Sequence, residues 1–266
     1  MFRFGGNQPP AIVVYYLEKV RRLSVGGAYS RRREDTHLAE KQEGGGTAAP
    51  EVIIGAGAIV DEGVKLGYRT GRRIADHTLR IGDDAVIRHG TIIYGGTTIG
   101  SGLQTGHNVV IREENQIGDN FSVWNCTTID YGCKIGSGVK IHCNCYVAQF
   151  TVIEDNAFMA PGVTIANDIH PGCEFSAQCM KGPHIEEGVE IGVNVTILPF
   201  VRIGAHSVIG SGAVVTKDIP PGSVVVGNPG RVICGIHDLS CETGLTDKPY
   251  KDILLHGSAD PLSDER

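Results

Sequence analysis

Residues 111–141 read IREENQIGDNFSVWNCTTIDYGCKIGSGVKI, with an aliphatic residue at every sixth position. The same register runs from residue 81 to residue 165, broken only by one threonine and one methionine, Thr105 and Met159. A second block spans residues 185–215, and a short first block spans residues 54–66. A period of six excludes an α-helix, whose inward positions return about every 3.6 residues, and predicts short strands joined by turns.

The repeat predicts an all-β protein. Each hexapeptide supplies one short strand and one turn, and three of them close a triangular coil whose backbone bonds to the coils above and below. Aliphatic side chains of successive coils then stack inside the prism, so stability comes from contacts between neighbouring coils. We therefore predict a parallel β-helix, a hexapeptide-repeat solenoid, over residues 51–233.

The three blocks of the repeat differ in phase, so the chain must leave the coil between them. We predict loops at residues 67–80 and 167–184, and loops that leave a rigid wall are natural places for a site. Residues 1–50 lack the register and end in a glycine-rich stretch, which predicts a flexible N-terminal arm. Residues 234–266 are predicted to form a C-terminal cap and tail.

The charge distribution argues against nucleic acid as a partner. The formal net charge is −6, and residues 1–33 contribute +6 through six arginines and Lys19 against Glu18, so the remainder carries −12. An acidic body without a basic stripe has no electrostatic footprint for a phosphate backbone. The longest early apolar run, Ala11–Leu17, is too short to cross a bilayer, so we expect no membrane span.

The cysteine pattern predicts reduced thiols. Eight cysteines occur, and none lies in a CxxC pair or in a zinc-ribbon spacing. Several fall inside the repeat as small side chains, which fits a reducing compartment better than a disulfide framework. We therefore expect a cytoplasmic location and no metal.

Two groups of motifs resemble a known family. APGVTI at residues 160–165 is followed by NDIHP, and IGSGAVVTKDIP at residues 209–220 is followed by GNP. With the repeat, these motifs resemble the hexapeptide-repeat acyltransferases, and in particular the galactoside and maltose O-acetyltransferases. The stretch from Lys140 to Asn144, continuing to Asn167, is similar to nucleotide-sugar amine N-acetyltransferases.

The resemblance implies a left-handed coil and a homotrimer with active sites in the clefts between subunits. It also implies an O- or N-acetyltransferase that uses acetyl-CoA as co-substrate and a sugar or nucleotide sugar as acceptor. A surface polysaccharide is the expected destination of that sugar.

His170 matches the histidine that the O-acetyltransferase branch uses as general base, and the ordinary pKa of histidine suits proton abstraction near neutrality. Asp168 either orients the imidazole ring or forms a turn, and the sequence leaves both roles open. Asn144 and Asn108 are candidates for contact with the substrate. Asparagine also suits the tight turns of such a coil, and for these two residues we favour the turn.

For coenzyme A, the resemblance implies that Lys217 and Arg231 meet the phosphates. It further implies that Ser211 and Thr216 contact the pantetheine arm or the adenine end. Cationic side chains in an acidic body suit phosphate recognition. The sequence departs from the family pattern at Cys234, where the family has a second arginine, so phosphate binding is expected to be weaker or differently arranged.

Two alternatives remain open at the level of sequence. One is a non-catalytic β-helix scaffold, because a fold does not fix a function. The other is a γ-class carbonic anhydrase, which binds zinc through three histidines, two of them five residues apart. No two histidines here have that spacing, and His89 and His107, eighteen apart, are expected to stack on one edge of the prism as only two ligands.

Overall fold

The computed structural model describes residues 51–253, which form a three-sided parallel β-helix. From β1 to β21, consecutive strands rotate among three sheets, and each strand pairs in parallel with the strand three places later. The predicted arm, residues 1–50, lies outside the described residues, as do residues 254–266 of the predicted tail.

The strands are two to five residues long and are numbered here in chain order. Sheet A contains β1 Val52–Ile54, β4 Leu79–Ile81, β7 Thr98–Ile99, β10 Gln116–Ile117, β13 Lys134–Ile135, β16 Val152–Ile153, β19 His184–Ile185 and β22 Arg202–Ile203. Sheet B contains β2 Ile59–Val60, β5 Val86–Ile87, β8 Gln104–Thr105, β11 Ser122–Val123, β14 Lys140–Ile141, β17 Phe158–Met159, β20 Glu190–Ile191, β23 Val208–Ile209, β25 Ser223–Val226 and β26 Arg231–Gly235. Sheet C contains β3 Lys65–Tyr68, β6 Ile92–Tyr94, β9 Val110–Ile111, β12 Thr128–Ile129, β15 Tyr146–Val147, β18 Thr164–Ile165, β21 Thr196–Ile197 and β24 Val214–Val215.

The aliphatic residues of the repeat stack inside the prism. Ile117 pairs with Ile135 and Ile135 pairs with Ile153, and all three side chains are buried. Burying each such side chain contributes roughly 1.5–3 kcal/mol. The two exceptions also point inward, and the hydroxyl of Thr105 accepts the backbone N–H of Arg88 at 2.9 Å, so its polar atom is satisfied.

Each corner of the coil needs a residue with positive φ. Along the corner between sheets A and B, glycine alternates with a residue that carries a side chain: Gly102, Asn120, Gly138 and Asn156 have φ values of 75°, 55°, 71° and 59°. Glycine and asparagine tolerate this left-handed conformation better than other residues. The alternation therefore reflects both backbone conformation and the space available between coils.

The last coil is closed by an antiparallel hairpin of β25 and β26, followed by a 3₁₀ helix at Ile236–Asp238. A short helix, α1, spans Ser176–Cys179 in the connection between β18 and β19. Within residues 51–253, no helix has the length and apolarity needed to cross a lipid bilayer.

Candidate active site

Both long connections leave the prism at the same edge. Residues 69–78 join β3 to β4, and residues 166–183 join β18 to β19. In each case the chain leaves sheet C and returns to sheet A, at the corner that we call the C–A edge. The coils between the two connections therefore have one loop before them and one loop after them along the C–A edge.

His170 lies on the second of these connections, with its side chain exposed. Asp168 shapes the backbone around it: its Oδ1 accepts the backbone N–H of His170 at 2.8 Å, and its Oδ2 accepts the hydroxyl of Ser176 at 2.5 Å. The carbonyl of His170 in turn accepts the N–H of Cys173 at 3.0 Å. Of the two roles that the sequence leaves open for Asp168, these contacts are those of a turn residue.

A cavity of about 560 Å³ opens beside His170. Its lining is mainly apolar and includes one exposed cation: Ile169, His170, Gln178, Cys179, Met180, Lys181 and Phe200. Phe200 comes from the next coil, where it occupies the corner of the C–A edge with φ 67°, and Lys181 Nζ lies 5.9 Å from the centre of its ring. Sequence reasoning missed Lys181 and Phe200, although the register already placed Phe200 at a corner.

The base of the His170 loop is closed by hydrogen bonds. The carbonyl of Asn167 accepts the N–H of Lys181 at 2.9 Å, which joins the two ends of the loop. The side-chain nitrogen Nδ2 of Asn167 donates to Oε1 of Gln149 at 2.6 Å, and Gln149 Nε2 donates to Oδ2 of Asp130 at 2.7 Å. Through Gln149 in the coil below, the loop is thus attached to a buried carboxylate two coils below.

Asp130 and Glu113 are the buried carboxylates of the C–A edge, with exposed fractions of 5% and 0%. Arg112 bonds to both, at 2.8 Å from Asp130 Oδ1 and 3.0 Å from Glu113 Oε1. Burial raises the pKa of Glu113, but the hydrogen bonds from its own backbone, Arg72 and Thr70 outweigh it, so the pKa is lowered overall. Burying these carboxylates is tolerated because each is hydrogen-bonded to a cation.

Tyr146 completes the surroundings of Asp130. Its hydroxyl donates to Asp130 Oδ2 at 2.8 Å. Burial, together with this hydrogen bond, raises the pKa of Tyr146 to about 12. The phenol therefore remains a neutral donor at physiological pH.

Asn108 and Asn144 lie on a different edge, between sheets B and C, which we call the B–C edge. Both have positive φ, 56° and 59°, and the N–H of each donates to a carbonyl one coil below, that of His89 and that of Asn125. Both are corner residues, as the turn interpretation expects. The structure does not bring them together with His170 within one chain.

Three of the four residues predicted for coenzyme A lie on these two edges. Thr216 and Lys217 follow β24 on the C–A edge, two coils beyond the His170 loop, and Lys217 is exposed. Ser211 lies on the B–C edge, and its hydroxyl accepts the N–H of Val193 at 3.1 Å. Arg231 is exposed at the start of β26, paired with Val226, and donates to the carbonyl of Gly230 at 2.9 Å.

His89 and His107 occupy equivalent positions of successive coils on the B–C edge, since the N–H of the residue after His107 donates to the carbonyl of His89. Among residues 51–253, His, Cys, Asp and Glu side chains form no group of three or more that could hold a metal ion. The carbonic anhydrase alternative therefore gains no support from this edge.

Comparison with known proteins identifies the repeat. The family model described as bacterial transferase hexapeptide (six repeats) matches residues 132–167 and 182–217. Over these residues the chain carries the repeat of the hexapeptide-repeat transferases. The predicted family and the predicted left-handed parallel β-helix are thereby confirmed. The two matched segments lie on either side of residues 168–181, the loop that carries His170.

Proteins similar to this chain include two galactoside O-acetyltransferases. That of Lactococcus lactis is 41% identical over 95 residues, which cover 34% of this chain and 46% of the relative. That of Escherichia coli is 43% identical over 97 residues, which cover 35% of this chain and 48% of the relative. The chain thus spans about half the length of the curated relatives it matches.

Solved structures that resemble it include a serine acetyltransferase in complex with CoA, at 27% identity and a TM-score of 0.33, covering 38% of this chain and 40% of the other. A hexapeptide-repeat acetyltransferase from Vibrio cholerae in complex with acetyl coenzyme A matches at 29% identity and a TM-score of 0.35, covering 39% of this chain and 60% of the other.

Proposed function

We propose that this protein is an acetyl-CoA-dependent acyltransferase that acetylates a hydroxyl or an amine of a sugar or nucleotide sugar. The observation that carries the proposal is His170, exposed on a loop with a closed base and lining an open cavity of about 560 Å³. The similarity of the chain to galactoside O-acetyltransferases supports a sugar as the acceptor. An exposed imidazole beside a cavity is suited to act on a bound hydroxyl or amine.

In the proposed reaction, His170 accepts the proton of the acceptor while the oxygen or nitrogen of the acceptor attacks the thioester carbonyl carbon. The new C–O or C–N bond forms and the C–S bond breaks. His170 then returns the proton to the leaving thiolate, which gives the free thiol of coenzyme A. The proton therefore passes from the acceptor to the thiol, and the histidine ends in its original state.

The cations of the C–A edge fit a phosphate-bearing co-substrate. Lys181 lines the cavity and Lys217 is exposed two coils further along the same edge. Ammonium groups bind phosphate oxygens through charge-assisted hydrogen bonds. In the proposal these two lysines and Arg231 bind the phosphates of acetyl-CoA, while Thr216 contacts its pantetheine arm or its adenine end.

The proposal includes a homotrimer and a cytoplasmic location. Asn108, Asn144 and Ser211 lie on the B–C edge, whereas His170 lies on the C–A edge. A site that uses both edges requires two copies of the chain, with the B–C edge of one subunit facing the C–A edge of its neighbour. The free cysteines suit a reducing compartment.

The test is a thiol-release assay with acetyl-CoA across sugars and nucleotide-amino sugars, comparing wild type, His170→Ala and His237→Ala. His237 is the matched control because its ring bonds the carbonyl of Ile253, in the C-terminal segment. We expect His170→Ala to lower kcat on the order of 100-fold or more, since general bases contribute that much, while His237→Ala matches wild type.

Two results would contradict the proposal. Full turnover in His170→Ala would remove His170 from the mechanism. A wild-type protein that releases no thiol with any acceptor and gives no calorimetric signal with coenzyme A would instead support the scaffold alternative.

A further inference from the structure

Asp130 is the fixed end of a line of polar contacts that reaches the His170 loop. Its carboxylate is almost completely buried and accepts four hydrogen bonds. The donors, all at 2.7–2.8 Å, are Arg112 Nη1, the backbone N–H of Tyr131, the Tyr146 hydroxyl and Gln149 Nε2. A buried carboxylate with a cationic partner and three neutral donors is held in one position.

Gln149 links the fixed carboxylate of Asp130 to Asn167. An ionised carboxylate only accepts hydrogen bonds, so Gln149 must present its NH₂ group to Asp130. Its amide oxygen is then directed the other way and accepts Asn167 Nδ2 at 2.6 Å. The orientation of the Gln149 amide is therefore fixed by its partners.

Asn167 is the last residue before the turn that carries the histidine. Its carbonyl holds Lys181 at the far end of the loop, and the following residue, Asp168, holds the N–H of His170 at 2.8 Å. His170 is three positions after Asn167 and its N–H is held by Asp168, so a displacement of Asn167 is expected to move His170 as well. Misplacing a catalytic group by about 1 Å can lower a rate on the order of 100-fold.

We propose that Gln149 is a positioning residue for His170, acting through a polar relay that consists of Arg112, Asp130, Gln149 and Asn167. The inference rests on the proposed function, because it assigns the relay the task of holding a general base. The relay does not line the cavity, since none of its four residues is among those around it. Its effect is on the placement of the loop.

The other long connection is attached to the same relay. Arg112 bonds Glu113, and Glu113 Oε1 accepts the Thr70 hydroxyl at 3.0 Å and Arg72 Nη1 at 3.1 Å. Arg72 also lies over the ring of Tyr131, 3.6 Å from its centre. Residues 69–78 therefore brace the end of the relay that lies away from His170.

The experiment is a polarity swap. Gln149→Glu places a second acceptor against Asp130 and removes the donor, whereas the double variant Gln149→Glu/Asp130→Asn restores one donor and one acceptor with their places exchanged. Gln104→Glu is the matched control, because Gln104 is an exposed glutamine on β8 of sheet B. The readouts are kcat, KM for acetyl-CoA, the pH profile of kcat/KM, and hydrogen exchange of residues 168–181.

We expect Gln149→Glu to lower kcat about tenfold or more and to change KM for acetyl-CoA by a smaller factor, since Lys181 belongs to the displaced loop whereas Lys217 and Arg231 do not. Hydrogen exchange should rise in residues 168–181 and stay unchanged in the coils. The double variant should recover most of the lost kcat, because neighbouring residues of one network couple. Gln104→Glu should match wild type in every readout.

An unchanged kcat in Gln149→Glu would overturn the proposal, as would a double variant with no more activity than Gln149→Glu. Loss of exchange protection throughout the coils would also overturn it, since that result assigns Gln149 a purely structural role. A wild-type protein without acetyl transfer would instead contradict the proposed function, and the exchange of residues 168–181 would still test the relay.

Discussion

Asn156 stacks on Gly138, one coil away along the corner between sheets A and B. A β-carbon on Gly138 would lie 2.5 Å from Asn156 Oδ1, closer than real atoms approach, and both residues have positive φ. The same relation joins Asn120 to Gly102, at 2.6 Å. Each glycine thus leaves room for the amide of the next coil, which explains why glycine and asparagine alternate.

We expect Gly138→Ala to lower the free energy of unfolding by about 2 kcal/mol, because a side chain is strained at positive φ and Asn156 must also shift. Gly212 has φ 73° with no atom within 4 Å of its would-be β-carbon, so Gly212→Ala isolates the conformational cost. Gly71 has neither constraint and serves as the neutral control. Chemical denaturation of the three variants measures the order, and equal midpoints would contradict it.

The buried carboxylate of Glu113 should make stability depend on pH. Its pKa is lowered in the folded state, so it contributes stability at neutral pH that is lost as the pH falls through the lowered value, below the ordinary range of a glutamate. We expect Glu113→Gln to destabilise the protein at pH 7 and to reduce the difference between pH 7 and pH 3. Unfolding midpoints across that range measure it.

Glu174, an exposed carboxylate, provides the control for this experiment as Glu174→Gln. If Glu113→Gln and Glu174→Gln lose the same amount of stability between pH 7 and pH 3, Glu113 is not the group responsible.

Two substitutions of Asp168 separate a turn from a ring-orienting role. Asparagine can still accept the N–H of His170 and satisfy Ser176, so we expect Asp168→Asn to retain most of the activity. Asp168→Ala loses both hydrogen bonds and should lower kcat about tenfold, since each bond contributes roughly 1 kcal/mol. Steady-state kinetics distinguishes them, and an asparagine variant as impaired as alanine would indicate that the charge acts on the imidazole.

Lys217→Ala should raise KM for acetyl-CoA about tenfold, because a charge-assisted contact with phosphate contributes roughly 1.5–3 kcal/mol. The difference from wild type should shrink at high salt, which screens exposed charges. Lys65→Ala is the control, since Lys65 is an exposed cation on β3. A KM that does not change in Lys217→Ala, at either salt concentration, would remove Lys217 from the binding of the co-substrate.

The period of six predicted the interior of the molecule residue by residue. Ile117, Ile135 and Ile153 were expected to share one interior line, and the register of β10, β13 and β16 confirms it. The two exceptions to the aliphatic rule remain buried because the threonine hydroxyl accepts a hydrogen bond from the neighbouring coil and methionine fills the same space. The sequence predicted less of the candidate site: it identified His170 only through a resemblance and did not identify Lys181 or Phe200.

By itself, the sequence determined that the chain winds as a stacked three-sided coil, because burial of aliphatic side chains is a strong signal that repeats at a fixed spacing and needs no knowledge of distant residues. Only the tertiary structure decided which side chains contact one another at the edges of the prism. Thr70 and Glu113 meet because the connection between β3 and β4 folds over the C–A edge. Loop residues follow no register, so their partners are chosen by hydrogen bonding and charge once the coils have stacked.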